Sequence, residues 1–109
     1  DMAVTLKRGD ECSLAVGVAL NGQAVDISDV ATAEFCLGKR LRKLYPGEVE
    51  YDAEAGEFRL PLTQEETFAL PPGAALPLDV RVKFAGGEVL GSARMGAVAV
   101  CDAISGEVL

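Results

Sequence analysis

The sequence predicts an all-β protein, an antiparallel β-sandwich of about seven to eight short strands with one helical turn near residues 63–69. Three observations carry this expectation. Apolar residues recur at every second position through most of the chain, the period at which side chains of a strand share one face. Turn-forming pairs such as Asn21-Gly22 and Gly86-Gly87 punctuate that alternation. With 109 residues the chain can bury one core and not two, so residues 1–109 are read as a single domain.

Taken in order, Cys12, Leu14, Val16, Val18 and Leu20 alternate with Ser13, Ala15, Gly17 and Ala19, a half-buried strand of about nine residues. Asn21-Gly22 follows at once, the pair best suited to a type I′ hairpin because both central positions need positive φ. Val25 and Ile27 begin the return. Ala31, Ala33, Phe35 and Leu37 form the next strand, and Val49 and Tyr51 a shorter one among Glu48, Glu50 and Asp52. Phe58, Leu60 and Leu62 pair with it across a turn at Gly56. Thr63 and Glu66 then have the reciprocal capping spacing of a helix start, and Pro71 and Pro72 end that helix after one turn. Leu76, Leu78, Val80, Val82 and Phe84 alternate with Pro77, Asp79, Arg81 and Lys83 without exception, which marks the best-formed strand. After Gly86-Gly87, residues 88–93 return towards a last strand from Met95 to Cys101. That strand is apolar on both faces, so it either lies centrally or meets a partner. The spacing of strands and turns is that of an immunoglobulin-like sandwich without the Cys, Trp, Cys set of antibody domains.

Composition narrows the function classes. Seventeen acidic against ten basic residues give a net charge of −7, which repels phosphate backbones, so no nucleic-acid partner is expected. The sequence has no His, the side chain most used for proton transfer near neutral pH and the commonest neutral metal ligand. Ser13 and Ser92 therefore have no base to activate them, and no catalytic residue, cofactor or metal is expected. No apolar run approaches the ~20 residues needed to cross a bilayer. The N-terminus lacks a basic-then-apolar signal pattern. A soluble chain with no membrane partner is expected, with Met2, preceded by Asp1, as its natural first residue.

Four smaller constellations need weighing. Cys12, Cys36 and Cys101 are odd in number and lack Cys-x-x-Cys spacing, so buried free thiols are expected, with a Cys12 to Cys101 bridge as the rival. Asp52-x-Glu54-x-Gly56-Glu57 has the opening of a calcium loop but no distal bidentate Glu, and is read as a hairpin turn. Glu65 and Glu66 are first-turn helix acids rather than a catalytic pair. Lys39-Arg40-Leu41-Arg42-Lys43 is the one basic cluster, either a solvated strand end or a docking patch for an acidic partner. Lys39, Arg40, Arg42 and Lys43 are accordingly the candidate docking residues. Val98 and Val100 join them, because a last strand with neither charge nor Pro to guard it needs a cover.

The order of these signals resembles a known family. Val4-Thr5-Leu6-Lys7-Arg8-Gly9-Asp10 looks like an apolar strand ending in a basic-Gly-Asp turn, and Asn21-Gly22-Gln23-Ala24-Val25-Asp26-Ile27-Ser28 like the return that follows it. Ala31 to Phe35, Gly56-Glu57-Phe58, Leu62-Thr63, Glu65-Glu66-Thr67, Leu70, Pro72-Gly73, Leu78-Asp79-Val80 and Gly96 to Val100 continue in register. The set resembles the N-terminal immunoglobulin-like domain of upper baseplate proteins of phages infecting Gram-positive bacteria, and small prophage tail proteins built on it. It departs from them at Glu11, where Thr or Ser is usual, and at Leu76 and Leu78, where aromatics are usual. The resemblance implies a non-catalytic virion structural protein of the tail, assembled in the bacterial cytoplasm and acting through contacts with other phage tail proteins. A homo-oligomer is expected from the apolar last strand and the basic cluster. The alternative is a small carbohydrate- or surface-binding module using Tyr45, Tyr51 and Phe68.

Overall fold

The computed structural model describes residues 2–20, 23–39, 41–71, 73, 75–91 and 96–101, with backbone alone at 2–5, 20 and 96–101. Within them the chain is an all-β sandwich of two packed sheets. Its strands are β1 (Met2–Lys7), β2 (Cys12–Val16), β3 (Ala19–Leu20), β4 (Gln23–Ala24), β5 (Val30–Leu37), β6 (Leu41–Tyr45), β7 (Glu50–Asp52), β8 (Glu57–Leu62), β9 (Ala75–Phe84), β10 (Val89–Gly91) and β11 (Gly96–Cys101). A helical turn, α1 (Gln64–Phe68), joins β8 to β9. The large sheet runs β1-β11-β9-β5-β6 with β10 also on β9, the small sheet runs β2-β8-β7, and β3 and β4 form a separate ribbon.

The alternation seen in the sequence builds the core directly. Leu14, Val16, Phe58, Leu60 and Leu62 of the small sheet are buried against Ala33, Phe35, Leu37, Leu78, Val80 and Val82 of the large one. Each large apolar side chain so buried contributes about 1.5–3 kcal/mol of transfer free energy. Phe58 is the hub, with ring centroids at 5.1 Å from Phe35 and Tyr45 and at 5.0 Å from Tyr51 in tilted or edge-on contact.

Several elements differ from expectation for local reasons. The nine-residue strand is split because its ladder with β8 ends at Val16 opposite Phe58, one residue from the start of β8, although Val18 stays buried. β3 and β4 then pair Leu20 with Gln23, while Asn21 and Gly22 lie outside the described residues. The return through Val25 and Ile27 is not a strand. Asp26 instead caps a 3-10 turn at Ile27–Asp29, its Oδ1 accepting from the Ser28 N–H at 3.0 Å and the Ser28 hydroxyl at 2.8 Å. Ala31 points outward, because Val30 opposes Phe84 while Thr32 opposes Lys83, and the extra residue is a bulge. β1 pairs parallel to β11, an exception to the antiparallel pattern. No hairpin links those two strands, so nothing constrains them to run in opposite senses.

One corner connects the sheets. The Thr63 hydroxyl accepts from the Glu66 N–H at 3.2 Å and the Glu66 carboxylate accepts from the Thr63 N–H at 2.9 Å, completing the expected capping box. Onto this turn docks Arg8-Gly9-Asp10, the crossover from β1 to β2. The Gly9 N–H donates to the buried Thr67 hydroxyl at 2.9 Å, which in turn donates to the Asp10 carbonyl at 2.9 Å. The Arg8 guanidinium donates to the Phe68 carbonyl, Nη2 at 2.8 Å, and stands over the Phe68 ring. Gly9 has φ +93°, and a Cβ there would lie 2.7 Å from Phe68 Cζ, so this turn needs glycine on two counts.

Candidate docking face

The basic cluster does not form one surface. In β6, Leu41, Lys43 and Tyr45 face inward opposite Leu37, Phe35 and Ala33, whereas Arg42 and Leu44 face outward opposite Cys36 and Glu34. Lys43 is only 8% exposed, and its ammonium donates to the Pro61 carbonyl and the Glu66 carboxylate, both at 2.7 Å. It therefore leaves the docking set, because its charge is engaged at the rim of the core. Lys39 is exposed in the turn after β5, and Arg40 lies outside the described residues. The two valines also lose their expected route to a partner through a strand edge. β11 lies between β1 and β9, with Val98 in register with Val4 on one side and Leu76 on the other, and Val100 opposite Leu6.

Arg42 does belong to a built surface, which lies on the outer face of the large sheet. Three cross-strand rows make it. Leu44, Glu34, Arg81 and Gly91 form the middle row, Arg42, Cys36 and Asp79 the row on one side, and Thr32, Lys83 and Val89 the row on the other. Glu34 sits at the centre. Its Oε1 accepts from Arg81 Nη2 at 2.6 Å and Nε at 3.2 Å, and its Oε2 accepts from Arg42 Nε. The hydrogen bond from Arg81, then that from Arg42, holds the Glu34 carboxyl below its ordinary range. Around this carboxylate the surface forms a groove of about 250 Å³ in which three cations, Arg42, Arg81 and Lys83, meet Leu44 and Val89. Val89 is 51% exposed, one of the two large apolar side chains that stand out from the described surface. Arg81, Lys83, Glu34 and Val89 were not singled out from sequence. Period two places Glu34, Arg81 and Lys83 on a solvent face, but only the register of β5, β9 and β10 brings them together with Val89.

The remaining candidates resolve into structural roles. Cys12 is a free, half-buried thiol, and so is Cys36. That rules against the bridge to Cys101, whose side chain lies outside the described residues. Burial pushes both described thiols up, with Asp10 adding to the effect at Cys12 and Glu34 at Cys36. Asp52 shapes its own turn, Oδ1 accepting from the Glu54 N–H at 3.1 Å and the Ala55 N–H at 3.3 Å, and pairs with Arg59 at 2.6 Å. The Arg59 hydrogen bond is the main cause of its lowered pKa. Among the described residues no group of three or more acidic or Cys side chains is placed to hold a metal ion. Among them, too, no helix is long and apolar enough to cross a membrane. Tyr45 and Tyr51 pack their rings on Phe58, and Phe68 lies under Arg8, so the three aromatics do not line an exposed face. No protein-family model, curated protein or solved structure matches this chain.

Proposed function

We propose that the chain is a non-catalytic structural module of a phage or prophage tail, working through contacts with other tail proteins and with copies of itself. The observation that supports this best is the outer face of the large sheet, where three cations surround one largely covered carboxylate beside an exposed Val89, on a chain of net charge −7. Such a surface suits an acidic protein partner, since charge sets approach and register while apolar contact supplies affinity. The carboxylates with displaced pKa values, Asp26, Glu34, Asp52 and Glu66, all shift downward. That is the direction of structural pairing, opposite to a carboxyl held protonated for general-acid work. Support for the tail assignment itself comes from the order of turn motifs on a sandwich, above all the basic-Gly-Asp turn seated on a capped helical turn.

A carbohydrate-binding module needs stacking rings on an open face, and here those rings serve packing. Mass spectrometry of tail particles purified after prophage induction, from a strain carrying the gene, tests the assignment. The chain is expected in fixed ratio to the other tail proteins, and its absence from intact particles overturns the proposal.

A further inference from the structure

We propose that the groove on the outer face of the large sheet receives the β7–β8 hairpin tip of a second copy of this chain, so that the protein associates head to tail. This rests on the protein-contact role proposed above and names the occupant of that site. Charge makes the first case. Residues 48–57 carry five carboxylates, Glu48, Glu50, Asp52, Glu54 and Glu57, and no base, whereas the groove carries three cations to one carboxylate. The most acidic segment of the chain thus complements its basic surface.

Shape and chemistry agree with charge. The tip, Ala53-Glu54-Ala55-Gly56, is exposed throughout. It is also preorganised, because Asp52 accepts from the Glu54 and Ala55 N–H groups and Gly56 holds φ +68°, so docking orders little new backbone. Exposed Ala53 and Ala55 flank Glu54 in the sequence, and its carboxylate makes no ion pair among the described residues. The groove offers the matching pattern, Leu44 and Val89 as apolar contacts about two guanidinium groups. Glu34 engages only Nε of Arg42 and Nε and Nη2 of Arg81, and both side chains are 61% exposed. Each guanidinium carries five N–H donors, so both retain donors for a second carboxylate. At Gly91, opposite Arg81, an added Cβ would meet nothing within 4 Å, so no wall closes the groove there. No tip residue lines the groove and the tip is itself exposed, so a molecule does not fill its own groove, and a contact between two unlike patches repeats from copy to copy.

Sedimentation of the purified full chain tests this, at about 0.02 M and about 0.5 M salt, where screening lengths differ several-fold. Self-association is expected at low salt and is expected to weaken roughly tenfold at high salt. Glu54→Lys and Lys83→Glu alter exposed side chains at the tip and the groove, and each is expected to weaken self-association by roughly tenfold with an unchanged urea midpoint. An equal mixture of the two variants is expected to form a one-to-one heterodimer, since one keeps the tip and the other the groove. A monomer at low salt overturns the proposal, as does a mixture that associates no better than its components. A chain found in tail particles yet monomeric in solution likewise sinks self-docking, while leaving the tail role standing.

Discussion

At the scale of single residues, the corner around Thr67 concentrates most risk in fewest atoms. Thr67 is fully buried, and its hydroxyl both accepts from Gly9 and donates to Asp10. Thr67→Val keeps the shape and removes these bonds together with the one to the Gln64 carbonyl, so it is expected to cost about 1–2 kcal/mol, the part-buried Gly9 N–H being left without its partner. A urea midpoint equal to wild type shows instead that water replaces the hydroxyl. Gly9→Ala forces a side chain to φ +93° and against Phe68, and about 2 kcal/mol is expected from strain and clash together. Because the clash is with one ring, Gly9→Ala combined with Phe68→Ala should cost less than the sum of the two, which a double-mutant cycle reads directly. The thiols give a chemical check. In denaturant without reductant all three cysteines are expected to react with a thiol reagent, whereas in the native state Cys12 and Cys36, half-buried with raised pKa values, should react slowly. A single reactive thiol after denaturation contradicts this.

At the scale of elements, Glu66 ties three of them together. It closes the cap of α1 through Thr63 and holds the Lys43 ammonium of β6, which also reaches the end of β8 at Pro61. Thr63→Ala removes only the cap, about 1 kcal/mol. Glu66→Ala also strands a cation that is 10% exposed, so about 2–3 kcal/mol is expected, below the figure for a fully buried pair because Glu66 itself remains 26% exposed. Urea midpoints ranked the other way sink this account. The capping box was legible in the sequence because both partners lie within four residues of each other. The strands β8 and β9 were legible because alternation is a local signal. Lys43 was not, since a basic run reads as solvated until β6 is paired with β5 and every second residue is turned inward. The central place of β11 was legible only as one of two options, from apolar residues on both of its faces. The split after Val16 and the parallel pairing of β1 depend on where partner strands end and on the path of the chain between sheets, and neither is written in local pattern. The groove was legible least, as it joins two strand pairs, β5 with β6 and β9 with β10, that lie far apart in sequence. Arg42 was singled out, but for a cluster that does not exist as one surface.

At the scale of the whole molecule, paired carboxylates make folding stability depend on acid, and the share of one pair can be isolated. Burial raises the Glu66 carboxyl, but the hydrogen bonds from Lys43 and Thr63 and the charge of Lys43 outweigh it and hold the group below its ordinary range. Glu34 and Asp52 are lowered as well. Each of these groups is more acidic in the fold than in the unfolded chain, so as the pH falls the unfolded chain takes up protons first. Their contribution is therefore complete above the ordinary carboxylate range, about pH 4 to 5, and is lost as the pH drops through that range and then through the folded-state values. With no His in the sequence, no imidazole adds a second step near pH 6. The urea midpoint is thus expected to be flat from about pH 5.5 to 7 and to fall below about pH 4.5. Glu66→Gln isolates the pair, because that variant never has the charge to lose. It should begin less stable than wild type near neutral pH and decline less steeply, the two curves converging as Glu66 becomes protonated in the wild-type fold. Changes in overall repulsion on a chain of net charge −7 are common to both proteins and cancel in the difference. Curves that stay parallel from pH 7 down to the acid transition show that the Glu66 charge contributes nothing to the fold, and leave Thr63 and the packing of α1 as the sole source of its stability.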